Sequence, residues 1–218
     1  MFANSAPVVS SQRAPHARLG EIVLRHMETT YRREPGAVCR AAFARVLPRL
    51  AAAPFVLDAG CGTGEGTFAL ARRFADRTVL GVDKSAVRLA TGFRRCAAGQ
   101  APANAVLLHC ELVDFWQLAA AARLRCTHQY LLYPNPWPKP EHLKRRWHAH
   151  PVFPTLLALG GALELRTNWR VYADEFRAAL TIANIGSRCQ ALAPAEPLTP
   201  FERKYAASGH RLWRCVST

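Results

Sequence analysis

Short apolar runs alternate with stretches whose apolar residues recur three and four apart. Phe55-Val56-Leu57 and residues 78–82, 105–110, 129–133 and 162–166 read as buried strands. Between them, residues 86–97, 115–122, 141–159 and 171–185 read as helices, and Phe68, Ala69, Leu70 and Phe74 mark another just after residue 64. Two last strands, near 188–192 and 210–216, are placed to pair antiparallel at the sheet edge. Upstream, residues 19–50 hold two helical stretches broken near Glu34-Pro35-Gly36. Val38, Ala42, Phe43, Val46, Leu47 and Leu50 give the second an apolar face. The alternation predicts a doubly wound α/β domain with a mostly parallel sheet. We expect one domain over 51–218, a helical extension over 19–50, and a mobile basic arm over 1–18.

Composition narrows the partner more than the fold. The 218 residues are 50% hydrophobic and 20% charged, which excludes a disordered basic chain. No apolar run approaches the ~20 residues that cross a bilayer. The N-terminus lacks a secretory pattern, so a reducing cytoplasm is expected. The net charge of +14 favours an anionic partner, either nucleic acid or a membrane surface. Most of the basic residues are Arg, so part of that excess is compositional. Seven scattered cysteines with no C-x-x-C pair argue against a disulfide framework or a thiolate metal site. No metal is expected, and His148 and His150 read as surface residues.

Two segments carry chemistry. In Asp58-Ala59-Gly60-Cys61-Gly62-Thr63-Gly64, glycines after a strand permit a tight turn and let a ligand approach backbone. Asp83, closing the next strand, can accept hydrogen bonds from a ribose diol. A purely structural turn is the simpler reading of the glycines alone. The second segment, Tyr133-Pro134-Asn135-Pro136-Trp137-Pro138-Lys139, leaves the fourth strand where open α/β sheets bind ligands. Lys139, Lys144, Arg145 and Arg146 put cations beside it, as a phosphate backbone requires.

The glycine turn resembles motif I of the class I S-adenosylmethionine-dependent methyltransferases, a Rossmann-like fold. That resemblance implies S-adenosylmethionine as cofactor. It assigns Gly60, Gly62 and Gly64 to the enclosing loop, Asp83 to the ribose, Asp58 to positioning the methionine ammonium through water or backbone, and Glu111 or Asp114 to the region of the adenine. Tyr133-Pro134-Asn135-Pro136-Trp137 with Lys144-Arg145-Arg146 resembles the F-P-D-P-W…K-R-R signature of the tRNA (guanine-N7)-methyltransferases. Gly160-Gly161…Thr167-Asn168-Trp169…Tyr172 resembles their G-G…T-D-W…Y element. Thr199-Pro200-Phe201-Glu202-Arg203-Lys204 with Gly209-His210 resembles their T-x-F-E-x-K/R…G-H element. These run in family order over about 55–218.

The resemblance implies methylation of guanine N7 at position 46 of tRNA, with no membrane and no obligate protein partner. Asn135 and Asn168 stand where the family has aspartates lining the guanine and cofactor region. Thr199 and Glu202 are expected to approach the base or the cofactor's methionine end. Lys139, Lys144, Arg145 and Arg146 are expected to hold tRNA phosphates. Trp169 and Tyr172 are expected to buttress the site, and Arg166 fits either role. Guanine N7 carries a free lone pair, so alignment with the methyl group suffices and no general base is needed. An Asn oxygen still accepts a hydrogen bond but without the strength a carboxylate charge gives. The alternatives are a diverged methyltransferase acting on another RNA or a small molecule, and a catalytically silent RNA-binding protein.

Overall fold

The structure is a computed structural model that describes residues 4–218. Helices α1 (Leu19–Glu28) and α2 (Ala37–Ala51) precede strand β1 (Phe55–Ala59). Then come α3 (Glu65–Arg73), β2 (Val79–Asp83), α4 (Ala86–Ala97), β3 (Ala105–His109), α5 (Leu112–Ala121) and β4 (Cys126–Leu132). After two 3-10 turns follow α6 (Phe153–Ala158), β5 (Ala162–Thr167), α7 (Arg170–Ile182), β6 (Ser187–Leu192), α8 (Pro200–Ala207) and β7 (Leu212–Ser217). The sheet order is β3-β2-β1-β4-β5-β7-β6. β1 pairs parallel with β2 and β4, and β2 with β3. The C-terminal strand β7 runs antiparallel to both β5 and β6, which leaves β6 outermost.

The described residues form two compact units. One holds residues 33–131 and 158–161. In it every residue of β1 and β2 is buried, so both strands read as continuous apolar runs rather than alternating ones. Phe68 on α3, Leu89 on α4 and Leu107 on β3 pack together with almost no exposure. Ser85 caps α4 by accepting the Arg88 N–H, which fixes the chain just after Asp83.

The other unit holds residues 4–32, 132–157 and 162–218. Residues 141–159, expected as one helix, instead form 3-10 turns at Pro140–Arg145 and Trp147–Ala149, followed by the short α6. Pro151 and Pro154 account for the break, because the residue before a proline is pushed out of the helical region. Of the expected arm, residues 1–3 lie outside the described residues. The remainder forms no helix or strand before α1 and is tied down by hydrogen bonds: Ser10 Oγ donates to the Pro138 carbonyl at 2.5 Å, and the His16 N–H to Glu175 at 2.9 Å. Cys189 and Cys215 face each other in the β6–β7 register and are joined as a disulfide. Sequence spacing gave no sign of this pair, since strand register brings it together. No helix among the described residues is long and apolar enough to cross a membrane.

Candidate active site

In the unit built on β1–β4, the glycine turn folds as a run of left-handed positions. Gly60, Gly62 and Gly64 have φ of 85°, 58° and 80°, which side chains with a Cβ rarely adopt. A Cβ at Gly60 or Gly62 would meet Leu112 at 3.9 Å or Arg88 at 4.0 Å, ordinary contact distances, so it is the left-handed backbone and not crowding that calls for glycine there. At Gly64 it would come within 3.1 Å of Leu107, so that glycine also serves packing. The turn is pinned by the Gly60 and Cys61 N–H groups, which both donate to the Val82 carbonyl.

Asp83 is buried, and its carboxylate accepts the Gly62 N–H at 2.9 Å and the Ser85 N–H at 2.8 Å. A carboxylate accepts about four hydrogen bonds, so capacity for a diol is left. Asp58 is buried beneath the turn and accepts the Thr67 hydroxyl at 2.7 Å. Burial pushes its carboxyl up to about 6; the Thr67 bond opposes this and Asp83 adds to it. A left-handed turn over one buried acid, with a second at the end of β2, fits a ligand carrying both an ammonium and a ribose. Of the two acids considered for the adenine, Glu111 is partly exposed at the start of α5 and pairs with Lys84 at 3.6 Å. Asp114 is buried, accepts the Gly36 N–H and pairs with Arg33, so its carboxylate is turned to the 33–36 segment.

The other unit carries the substrate-side residues. Tyr133 and Trp137 both have positive φ, 53° and 45°, so the proline-rich loop is held in a costly conformation. Asn135 is exposed, and its side-chain oxygen accepts the Trp137 N–H at 3.2 Å. Lys139, Lys144 and Arg145 are exposed, and the Arg145 guanidinium lies 4.7 Å from the Trp137 ring centroid. Arg146 corrects its expectation: it is fully buried and bonds Glu175, Gln12 and the Trp137 and Lys139 carbonyls. A guanidinium spent this way holds the loop and cannot reach an RNA phosphate. His148, expected at the surface, is also fully buried and bonds the same Glu175 at 3.0 Å.

Thr199 and Glu202 turn out to be a helix cap. The Thr199 hydroxyl accepts the Glu202 N–H at 3.0 Å, Pro200 opens α8, and Glu202 accepts the Leu198 N–H at 2.6 Å. Glu202 is fully buried and its carboxylate also accepts the Tyr133 hydroxyl at 2.8 Å and, on both oxygens, Arg166 at 2.9 and 3.1 Å. With those bonds its acceptor capacity is filled, so this geometry does not give the expected direct approach to the base. Burial, then the nearby Glu202 charge, pushes the Tyr133 phenol up. Arg166 also bonds Glu164, which in turn accepts Arg214. Asn168 donates to His210 Nδ1 at 3.1 Å. Trp169 and Tyr172 are buried. Sequence reasoning missed the Tyr133–Glu202–Arg166 chain and the Glu175 cluster; the signal available was several charged residues inside otherwise apolar elements. Among the described residues no group of three metal-ligating side chains converges.

Residues 52–215 match a family model described as "Putative methyltransferase". The tRNA (guanine-N7)-methyltransferase of Thiobacillus denitrificans is 30% identical over 81% of this chain and 77% of that protein. That of Halorhodospira halophila is 33% identical over 74% and 73%. Among solved structures, a 16S rRNA (adenine(1408)-N(1))-methyltransferase from Catenulisporales acidiphilia, with its cosubstrate bound, superposes with a TM-score of 0.55. It is 15% identical over 80% of this chain and 91% of that one, a likeness of fold. The ordered motifs, the glycine turn with its two acids and these relatives agree: the chain belongs to the tRNA (guanine-N7)-methyltransferase family, with a class I methyltransferase fold.

Proposed function

We propose that the protein methylates N7 of the guanine at position 46 of tRNA, with S-adenosylmethionine as donor. The observation that carries the reading is family membership over most of the chain, joined to a glycine turn shaped for that donor. Bound S-adenosylmethionine supplies an electrophilic sulfonium methyl group. Gly60, Gly62 and Gly64 would hold it through backbone, Asp83 by its ribose, Asp58 by its ammonium, and Glu111 by its adenine.

The protein's task is orientation, since guanine N7 needs no base. Asn135, exposed and fixed by its own loop, is the group we assign to the base edge. Asn168 accompanies it on the substrate side. Glu202 and Thr199 act as positioning residues: the capped carboxylate holds Tyr133 and Arg166, and so the loop that carries Asn135. Lys139, Lys144 and Arg145 bind the tRNA backbone. Residues 51–218 form the catalytic domain in this reading, and a cytoplasmic setting suits its substrate.

The position is tested with two transcripts of one tRNA, carrying G46 or A46. Label from the methyl donor is expected in the first only. Equal labelling of both would overturn the assignment to position 46.

A further inference from the structure

A concavity of about 410 Å³ opens in the unit that carries β5–β7. Its walls include Ser5, Asn168, Arg170, His210, Arg211 and Trp213, and no acidic side chain lines it. We propose that it receives a phosphodiester of the RNA substrate, gripped by Arg170 and Arg211; this rests on the tRNA reading above.

The arrangement of charge points to an anion. The Arg170 guanidinium lies 4.3 Å from the Trp213 ring centroid and that of Arg211 lies 4.6 Å from it. Two like charges thus gather on one indole, where ring attraction holds each but leaves their mutual repulsion. Arg170 is partly balanced by Asp174 at 2.7 Å. Arg211 is exposed and, among the described residues, meets no carboxylate. Both arginines line the same concavity, so an anion held there meets both charges, and the guanidinium fork matches phosphate oxygens.

The remaining walls agree. Trp213 is only 8% exposed, so it offers little surface for a nucleobase to stack on. His210 Nε2 donates to the Ser5 carbonyl at 2.8 Å while Nδ1 accepts from Asn168, so both ring nitrogens are engaged. Asn168 spends one amide hydrogen there and keeps the second as a donor. The family's aspartate at this position would instead place a carboxylate in the wall. The amide therefore keeps the lining free of negative charge, which gives that departure a physical sense.

The test measures tRNA binding by the full chain as salt is varied, for the wild type, Arg211→Ala and Arg211→Glu. Methyl transfer at saturating tRNA and the melting temperature are recorded alongside. Loss of one phosphate contact should weaken binding severalfold and lower the log–log salt slope by about 0.7–0.9. Arg211→Glu should bind more weakly than Arg211→Ala, and both should keep the wild-type melting temperature. Wild-type affinity and slope in both variants would overturn the site while leaving the transfer reaction intact. Arg211-dependent binding by a wild type that transfers no methyl group would uphold the site and overturn the proposed activity. A wild type that binds no tRNA would overturn both.

Discussion

Asp58 and Glu175 are both buried carboxyls, yet their surroundings move them in opposite directions. Burial dominates at Asp58 and raises it from 3.8 to about 6. Its protonated form therefore favours the fold, and that contribution is lost as pH rises through about 6. Since the cofactor's ammonium calls for the carboxylate, affinity for S-adenosylmethionine should rise with pH, by up to about tenfold per unit below 6, and level off above it. Calorimetric titration across that range checks this; Asp58→Asn should flatten the profile. At Glu175, burial is outweighed by the hydrogen bonds from His148 and Arg146, which lower the carboxyl to about 2. Its contribution is present above 4.5 and lost as pH falls toward 2. Glu175→Gln leaves Arg146 buried without its counter-charge and should cost about 3–5 kcal/mol by denaturant unfolding. Asp58 was legible in the sequence because it precedes the glycine turn, and Asp83 because it closes the next strand. Arg146 was not, because a K-R-R run reads as a solvated face until the fold buries one member of it.

Motif Thr199-Pro200-Phe201-Glu202 shows how a family signature can be an element boundary. Thr199 caps α8, Pro200 occupies its first turn, and Glu202 completes the turn while reaching Tyr133 and Arg166. Thr199→Ala should lower stability by about 0.5–2 kcal/mol, measured by thermal unfolding, through the unpaired Glu202 N–H. The strands and most helices were legible because buried apolar runs and helical periodicity need only local spacing. Residues 141–159 were not, since the apolar spacing there suits a helix while Pro151 and Pro154 forbid a long one. The β6–β7 register, and with it the Cys189–Cys215 pair, depends on long-range pairing that spacing does not encode.

The net charge of +14 divides into several uses. Some cations are internal, as Arg146 and Arg166 are; others, such as Lys139, Lys144 and Arg145, stand exposed. Only the exposed ones can release counterions from RNA. The double change Lys144→Ala with Arg145→Ala should lower the salt slope of tRNA binding by about 1.4–1.8, with little effect on cofactor affinity. The central claim, guanine N7 methylation of tRNA, is tested most directly by incubating the purified protein with labelled S-adenosylmethionine and bulk tRNA, then digesting the RNA to nucleosides. Label recovered as 7-methylguanosine is the expected result; cofactor binding with no label in any nucleoside, or label in a different one, would contradict it.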